Sequence, residues 1–368
     1  KFGMGHFSAA TTLAEQIYLG DPTINIVVRD IYELAFPEYC EMFYRSYMSL
    51  VSRGCKLYNF AYKKTVHSNL GQRNRGQLGG AHMASMLKSY IELTQPDVII
   101  STYSLCARMV SDYKRKSGRK IPLITCITDV SIHNVWINPE TDIYLVGAAE
   151  TKQSLLQAGV DEQRIFITGI PVKSRFYASV GAHAQEQTVR PQAQRELLIM
   201  GGGLGLLPTQ AQFYQQLNRL PGVHTTIIVG KNEKLRKKLG GKYENITVLG
   251  FTDQVDRFMR QADLLISKPG GITMFEAINS RLPLLIFRPF LEQEISNAKF
   301  LADNGLGIVL TSKPEQAVGK IAAILGDEAR LSAIRRNMDQ LCHSLDQQAL
   351  LRCLAVLGKY DAARRIAG

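Results

Sequence analysis

Short runs of branched apolar residues alternate with stretches of helical period along the chain: INIVV (24–28), DVIIS (97–101), PLITCIT (122–128), DIYLVG (142–147) and RIFITG (164–169). A second series follows with ELLIMGGG (196–203), TTIIVG (225–230), ITVLG (246–250), DLLIS (263–267) and PLLIF (283–287). Runs this continuously apolar predict strands buried on both faces, and the helices between them predict parallel sheets. Two series predict an α/β chain with two doubly wound domains, which suits 368 residues when a domain takes roughly 150. The polar stretch before Arg195, with its Gly and Pro, holds no sustained period and reads as the linker. The expected boundaries are a first domain over 1–175, a linker over 176–195, a second domain over 196–340, and C-terminal helices over 341–368 that have the first domain to pack back on. No short repeat or low-complexity tract interrupts this order.

Composition narrows the class. The six cysteines have no C-x-x-C spacing, so neither a zinc ribbon nor a redox motif is signalled, and they read as thiols of a reducing cytosol. The longest uncharged run, Leu197 to Asn218, is broken by glycines and Pro208, so no bilayer span is expected. There is no secretory signal either. The opening KFGMGH is loop-like where the pattern asks for a preceding strand, so residues before Lys1 are expected. The chain carries 44 basic against 32 acidic side chains, a formal charge of +12. Much of the excess is local. Between Tyr39 and Arg75 stand seven cations, including Arg45, Arg53, Lys56, Lys63 and Lys64, against Glu41, with Tyr47, Tyr58 and Phe60 among the interleaved rings. Rings and cations mixed in this way suit an interfacial contact with anionic lipid, and they also suit a solvated helix face. A second cluster, Lys114 to Lys120, would add to it. No nucleic-acid module accompanies the charge, so no nucleic-acid partner is expected.

The densest candidate chemistry runs from Ser267 to Asn297. After DLLIS, Gly270 and Gly271 make a tight turn, and Ile272 and Thr273 open a helix whose free N–H groups and dipole suit a diphosphate. Glu276, one turn on, is placed to accept hydrogen bonds from a ribose diol. The loop after PLLIF offers Glu292, Gln293, Glu294 and Asn297 as readers of sugar hydroxyls. The same spacing also serves a plain strand-to-helix turn with a surface acid. GGGLG (201–205), which contains Gly203, lets a ligand approach a strand end, but it is neither a P-loop nor a complete dinucleotide fingerprint. No D-x-D pair occurs, so no metal is expected, and a phosphate leaving group would rely on amides, a helix end and a basic side chain such as Lys268 or Arg288. His6, flanked by glycine at position 5 and opening the helix FSAATTLAEQI, would be held neutral by the dipole, as a general base requires; a capping role is the alternative. Asp129, at the end of PLITCIT, would orient that ring or cap the next segment. His133 reads as structural or as an acceptor contact.

GMGHFSAATTLAEQ, ITDVSIHNVWINPETDIYLVGAAETKQSLLQAGV, RIFITGIPV, LLIMGGGLG, VLGFTDQVDRFMRQADLLISKPGGITMFEA and the EQEISNA loop, in that order over nearly the whole chain, resemble the diacylglycerol glycosyltransferases of family 28. These include processive diacylglycerol β-glucosyltransferases and monogalactosyldiacylglycerol synthases. The resemblance implies a GT-B fold, with two Rossmann-like domains facing a central cleft, and an inverting, metal-independent transfer of a hexose, glucose before galactose, from a UDP-sugar to diacylglycerol. No cofactor is implied beyond that donor substrate. His6 matches the family's base with Asp129 nearby; Gly270, Gly271, Ile272 and Thr273 match the phosphate loop, Glu276 the ribose contact, Gln293, Glu294 and Asn297 the sugar-reading loop, and Phe251 the uracil cradle. A peripheral position on the cytoplasmic face of the cell membrane follows from the lipid acceptor. Leu291 departs from the glycine that many members carry there, which leaves the sugar open between glucose and galactose. A UDP-N-acetylglucosamine 2-epimerase shares the architecture and is the rival enzyme; a nucleotide-sensing protein without turnover is the rival outside catalysis. Oligomeric state is not legible.

Overall fold

The computed structural model describes residues 4–39, 79–177, 194–202, 207–208, 210–287, 289 and 291–366. The chain divides into two compact units. The first takes Lys1–Val172, Leu291–Gln293 and Leu345–Gly368, and the second Lys173–Phe290 and Glu294–Ser344.

In the first unit, helices α1 (Met4–Gly20), α2 (Ile31–Ala35) and α3 (Gly80–Thr94) precede β1 (Ile99–Ser101). Then come α4 (Ser104–Ser117), β2 (Leu123–Cys126), β3 (Ile143–Val146), α5 (Ala149–Gln157) and β4 (Ile165–Ile167). The strands pair in sequence order, all parallel, with Ile100 opposite Ile124 and Tyr144 opposite Ile165. Each apolar strand is flanked by its own helix. Leu13 and Ile17 of α1 pack on Ile124, Cys126 and Leu145, while Ile91 and Val110 of α3 and α4 close over Leu123. The C-terminal helix Ala349–Ile366 completes the first of these clusters through Leu350. Asp30 caps α2 by accepting the Tyr32 N–H at 2.9 Å, and Gly118, at φ 70°, ends α4 in the left-handed region that glycine tolerates. The expected strand at 24–28 does not form: the segment has no regular structure, Ile26 packs against the cluster around Leu13 and Val27 is exposed.

The second unit runs β5 (Arg195–Met200), α6 (Ala211–Asn218), β6 (Val223–Ile228), α7 (Glu233–Leu239), β7 (Ile246–Leu249), α8 (Val255–Gln261), β8 (Leu264–Ile266), α9 (Gly271–Asn279) and β9 (Leu284–Phe287). It continues with α10 (Glu292–Asp303), β10 (Gly307–Leu310), α11 (Pro314–Gly326) and α12 (Glu328–Ser344). Strand β10 was not anticipated, because its run opens with glycine. The sheet order is β10-β9-β8-β5-β6-β7, all parallel. That is the doubly wound order in which the winding reverses between β5 and β8, and ligands of such sheets gather at the carboxyl ends of the strands at that reversal. Leu197, Leu198 and Ile199 of β5 face Leu264, Leu265 and Ile266 of β8, so the turns leaving Met200 and Ile266 emerge side by side.

Candidate functional site

The second unit builds its site from those two turns. Strand β5 exits into Gly201 and Gly202, the latter at φ 67°, and Gly203 lies outside the described residues. Strand β8 exits through Ser267, Lys268, Pro269 and Gly270 into α9. The Gly270 N–H turns back to the Lys268 carbonyl, and its own carbonyl accepts from Met274. No side chain caps this helix, so the N–H groups of Gly271, Ile272 and Thr273 form an open first turn with the positive end of the dipole behind it. Gly270 has an ordinary φ of −72°, and a Cβ added there would meet nothing within 4 Å. Space is open in front of the helix start.

Glu276 stands partly buried one turn into α9. Burial raises its carboxyl to about 7; the Arg175 and Lys173 charges oppose that rise, and Asp256 reinforces it. Arg175 and Lys173, which open the second unit, were not singled out in the sequence. The 3₁₀ turn Ser174–Phe176 is pinned to α8 through the Arg260 guanidinium, which donates to the Arg175 carbonyl at 2.9 Å, and through Asp256, which pairs with both Arg260 and Arg175. Phe251 follows β7 with 63% of its surface exposed, so its ring is available as a platform.

The residues assigned to sugar reading take different positions. Lys268 is ion-paired with Glu294 at 3.3 Å. Asn297 is 1% exposed, and its Nδ2 donates to the Pro269 carbonyl at 2.8 Å, so it braces the glycine turn from behind; its Oδ1 is buried without a hydrogen-bond partner. Gln293 belongs to the first unit, where its Nε2 donates to Asp129. Arg288 lies outside the described residues.

In the first unit His6 occupies the first turn of α1 over the carboxyl ends of β1 and β2. Its carbonyl accepts from Thr102 Oγ1 at 2.8 Å, and its Nδ1 lies 2.8 Å from Thr128 Oγ1. The Tyr103 ring sits 5.0 Å away and the Trp136 ring 6.3 Å, centroid to centroid. Burial lowers the imidazole to about 4, against the Thr102 bond, which raises it, so the ring is neutral at pH 7. His133 is lowered to about 4 as well, by burial and then by the charge of His6. Asp129 is buried, which lifts its carboxyl to about 6 while the Gln293 bond pulls it down. The partner on the His6 ring is thus Thr128, and Asp129 is engaged with Gln293. Thr102 and Thr128 carried no sequence signal of their own, because only the pairing of β1 with β2 brings both hydroxyls to one residue.

The proposed membrane-contact residues Arg45, Tyr47, Arg53, Lys56, Tyr58, Phe60, Lys63 and Lys64 lie outside the described residues. Lys114, the first residue of the second cationic cluster, lies at the amino ends of β2 and β3, the opposite end of the strands from His6. Lys114 is buried there, holding Asp142 at 2.6 Å and the Glu140 carbonyl at 2.7 Å, and Asp142 also accepts the Leu123 N–H at the start of β2. Lys114 fastens the sheet rather than adding to a surface beside the histidine. Among the described residues, no group of three His, Cys, Asp or Glu could hold a metal ion, and no helix is long and apolar enough to cross a membrane.

Residues 6–172 match the family model of monogalactosyldiacylglycerol (MGDG) synthase, and residues 196–339 that of the glycosyltransferase family 28 C-terminal domain. The processive diacylglycerol β-glucosyltransferase of Bacillus subtilis (strain 168) is 30% identical over 93% of this chain and 89% of its own length; that of Bacillus licheniformis is 28% identical over 95% and 91%. Among solved structures, MurG of Acinetobacter baumannii superposes with a TM-score of 0.61 at 14% identity, covering 97% of each chain, and Anabaena Alr3699/HepE in complex with UDP gives 0.50 at 14% identity over 76% and 82%. At such identities the likeness speaks for the fold, which is GT-B. With the identity to the Bacillus subtilis enzyme extending over nearly all of both chains, this chain belongs to the diacylglycerol glycosyltransferase family of the processive β-glucosyltransferase and monogalactosyldiacylglycerol synthase type, within glycosyltransferase family 28.

Proposed function

We propose that this enzyme transfers glucose from UDP-glucose to the free hydroxyl of 1,2-diacylglycerol, with inversion and without a metal ion, giving a β-glucosyldiacylglycerol to which further hexoses are added. The observation that carries this reading is the division of chemistry between the units: an open, uncapped helix start with a carboxylate one turn below it in one, and a neutral histidine at the strand ends in the other. The relatives' names supply diacylglycerol as acceptor and glucose as the sugar, and the Anabaena structure holds UDP.

In this mechanism the donor diphosphate lies against the N–H groups of Gly271, Ile272 and Thr273, Glu276 accepts from the ribose hydroxyls, and Phe251 stacks on the uracil. His6 accepts the proton of the acceptor hydroxyl as that oxygen attacks the anomeric carbon from the face opposite UDP. The new C–O bond forms as the bond to the phosphate oxygen breaks, and UDP departs with the electron pair. A ring whose pKa is about 4 is a weak base in the unliganded enzyme. The anionic leaving group favours its protonated form in the reacting complex, which brings it closer to the matched value that efficient proton transfer needs. With the leaving group held by amides, a helix dipole and the ammonium of Lys268, no divalent cation is required, and the expected result with excess EDTA is an unchanged rate. The lipid acceptor and the cation-rich segment at 39–75 support a peripheral position on the cytoplasmic face of the membrane. Galactose is the second reading for the sugar, favoured by the name of the family model that matches residues 6–172.

The deciding experiment incubates the protein with each UDP-hexose and diacylglycerol in anionic vesicles and weighs the lipid products by mass spectrometry. Hexosyl-diacylglycerol formed from UDP-glucose is the expected result. Conversion of the donor without lipid would assign the chain to epimerase chemistry instead.

A further inference from the structure

We propose that Thr128 is a positioning residue whose hydroxyl oxygen accepts the Nδ1–H of His6 and so holds the ring in the tautomer a general base needs; this rests on the reading of His6 as the base. The two ring nitrogens are not equivalent here. Nδ1 lies 2.8 Å from the Thr128 hydroxyl oxygen, and the Tyr103 and Trp136 rings stand 5.0 Å and 6.3 Å from the imidazole, tilted 49° and 57° to it. If Nδ1–H donates to Thr128 Oγ1, Nε2 keeps its lone pair and can take a proton. If the hydroxyl donates to Nδ1 instead, Nε2 carries the hydrogen, and neither nitrogen is left to act. One hydrogen bond therefore decides whether the ring is a base.

Thr128 is suited to this role because it is held. It is 5% exposed, it follows β2 directly after Ile127, and the Ile127 N–H is bonded to the Leu145 carbonyl of β3 at 2.9 Å. On the other side, Thr102 fastens the His6 backbone from the end of β1. Two adjacent strands thus fix the residue by its carbonyl and its ring. A hydroxyl also orients the imidazole without adding negative charge, whereas a carboxylate at the same distance would raise the ring's pKa by roughly 1–3 units and charge it near neutrality. The neighbouring carboxylate of Asp129 instead accepts from Gln293.

The test compares Thr128→Val, Thr128→Ser and His6→Gln in the full chain. Each is assayed for transfer from UDP-glucose to diacylglycerol and for UDP binding, and the tautomer of His6 is followed by the ¹⁵N shifts of its ring. Thr128→Val is expected to lower kcat by roughly 10–100-fold, within the range by which general acid–base groups contribute, with the donor KM within about twofold. It should also shift the ring signals away from the Nδ1–H form, while Thr128→Ser restores both rate and signature. Unchanged kcat in Thr128→Val, or a lower kcat with the Nδ1–H form intact, would overturn the assignment. A His6→Gln protein that still turns over would instead remove the base reading itself, and the two failures are told apart by that variant alone. A far-UV circular dichroism spectrum and a Tm like those of the unmodified protein certify that each variant is folded.

Discussion

Glu276 couples donor binding to pH. Its carboxyl is lifted from an ordinary 4.5 to about 7 by burial in the second unit, so the charged form that ribose hydroxyls would bind is the minor one at slightly acid pH. If only the ionised form binds, the occupied fraction of that form is about 9% at pH 6 and about 91% at pH 8, so affinity tightens about tenfold, ~1.4 kcal/mol, between them. The probe should be UDP-glucose rather than UDP, because a terminal phosphate has its own second ionisation near pH 6 and would imitate the effect. Titration calorimetry at both values, in buffers of different ionisation enthalpy, should show binding releasing close to one proton at the lower pH. In Glu276→Gln the affinity should be lower and the slope gone. A glutamine variant that keeps the wild-type slope would refute the assignment of that slope to Glu276. The sign for stability is opposite. A carboxyl raised in the fold leaves the unliganded protein most stable below about 4.5 and costs it stability as pH climbs through 7, so saturating donor should raise Tm more at pH 8 than at pH 6.

Other expectations are equally direct. His6→Ala should abolish transfer and leave UDP affinity within about twofold, since the second unit holds the nucleotide; parallel loss of both would make the residue structural. Gly270→Leu should weaken UDP-glucose binding without a change in Tm, because its side chain enters only open space in the unliganded protein. Gly307→Ala should destabilise the fold by about 1–3 kcal/mol in urea titration, since the new Cβ would stand 2.6 Å from the Leu284 carbonyl oxygen, within a paired strand that cannot give. Sedimentation with anionic and then neutral vesicles tests the cations at 39–75; at about 1 kcal/mol each near such a surface, binding should fall by orders of magnitude on the neutral lipid.

The sheet strands were legible from unbroken apolar runs as short as three residues set between helical stretches, because burial on both faces leaves no room for polar alternation. The exceptions are instructive. INIVV has the composition of a strand, yet it forms no regular structure and leaves Val27 exposed, and GIVL (307–310) is a strand whose leading glycine hid it. Of the site, the glycine turn and Glu276 could be read from spacing, since a single strand–turn–helix unit places both. Asn297 reads as a sugar contact from its place near the predicted site; only the packing of α10 on the turn shows that its Nδ2 serves the Pro269 carbonyl. The Thr128 bond could not be foreseen, because it joins residues 122 positions apart that meet only through strand pairing.

The C-terminal helix contributes Leu350 to the cluster around Leu13 and Ile17, and the Asp346 N–H binds the Ile167 carbonyl at 2.8 Å at the end of β4. On the ribosome, α1 can settle on β2 and β3 of its own unit, but the side of it that Leu350 covers stays open while some 170 residues of the second unit are synthesised. Domains usually fold in the order they emerge; here the half that emerges first is the one that must finish last.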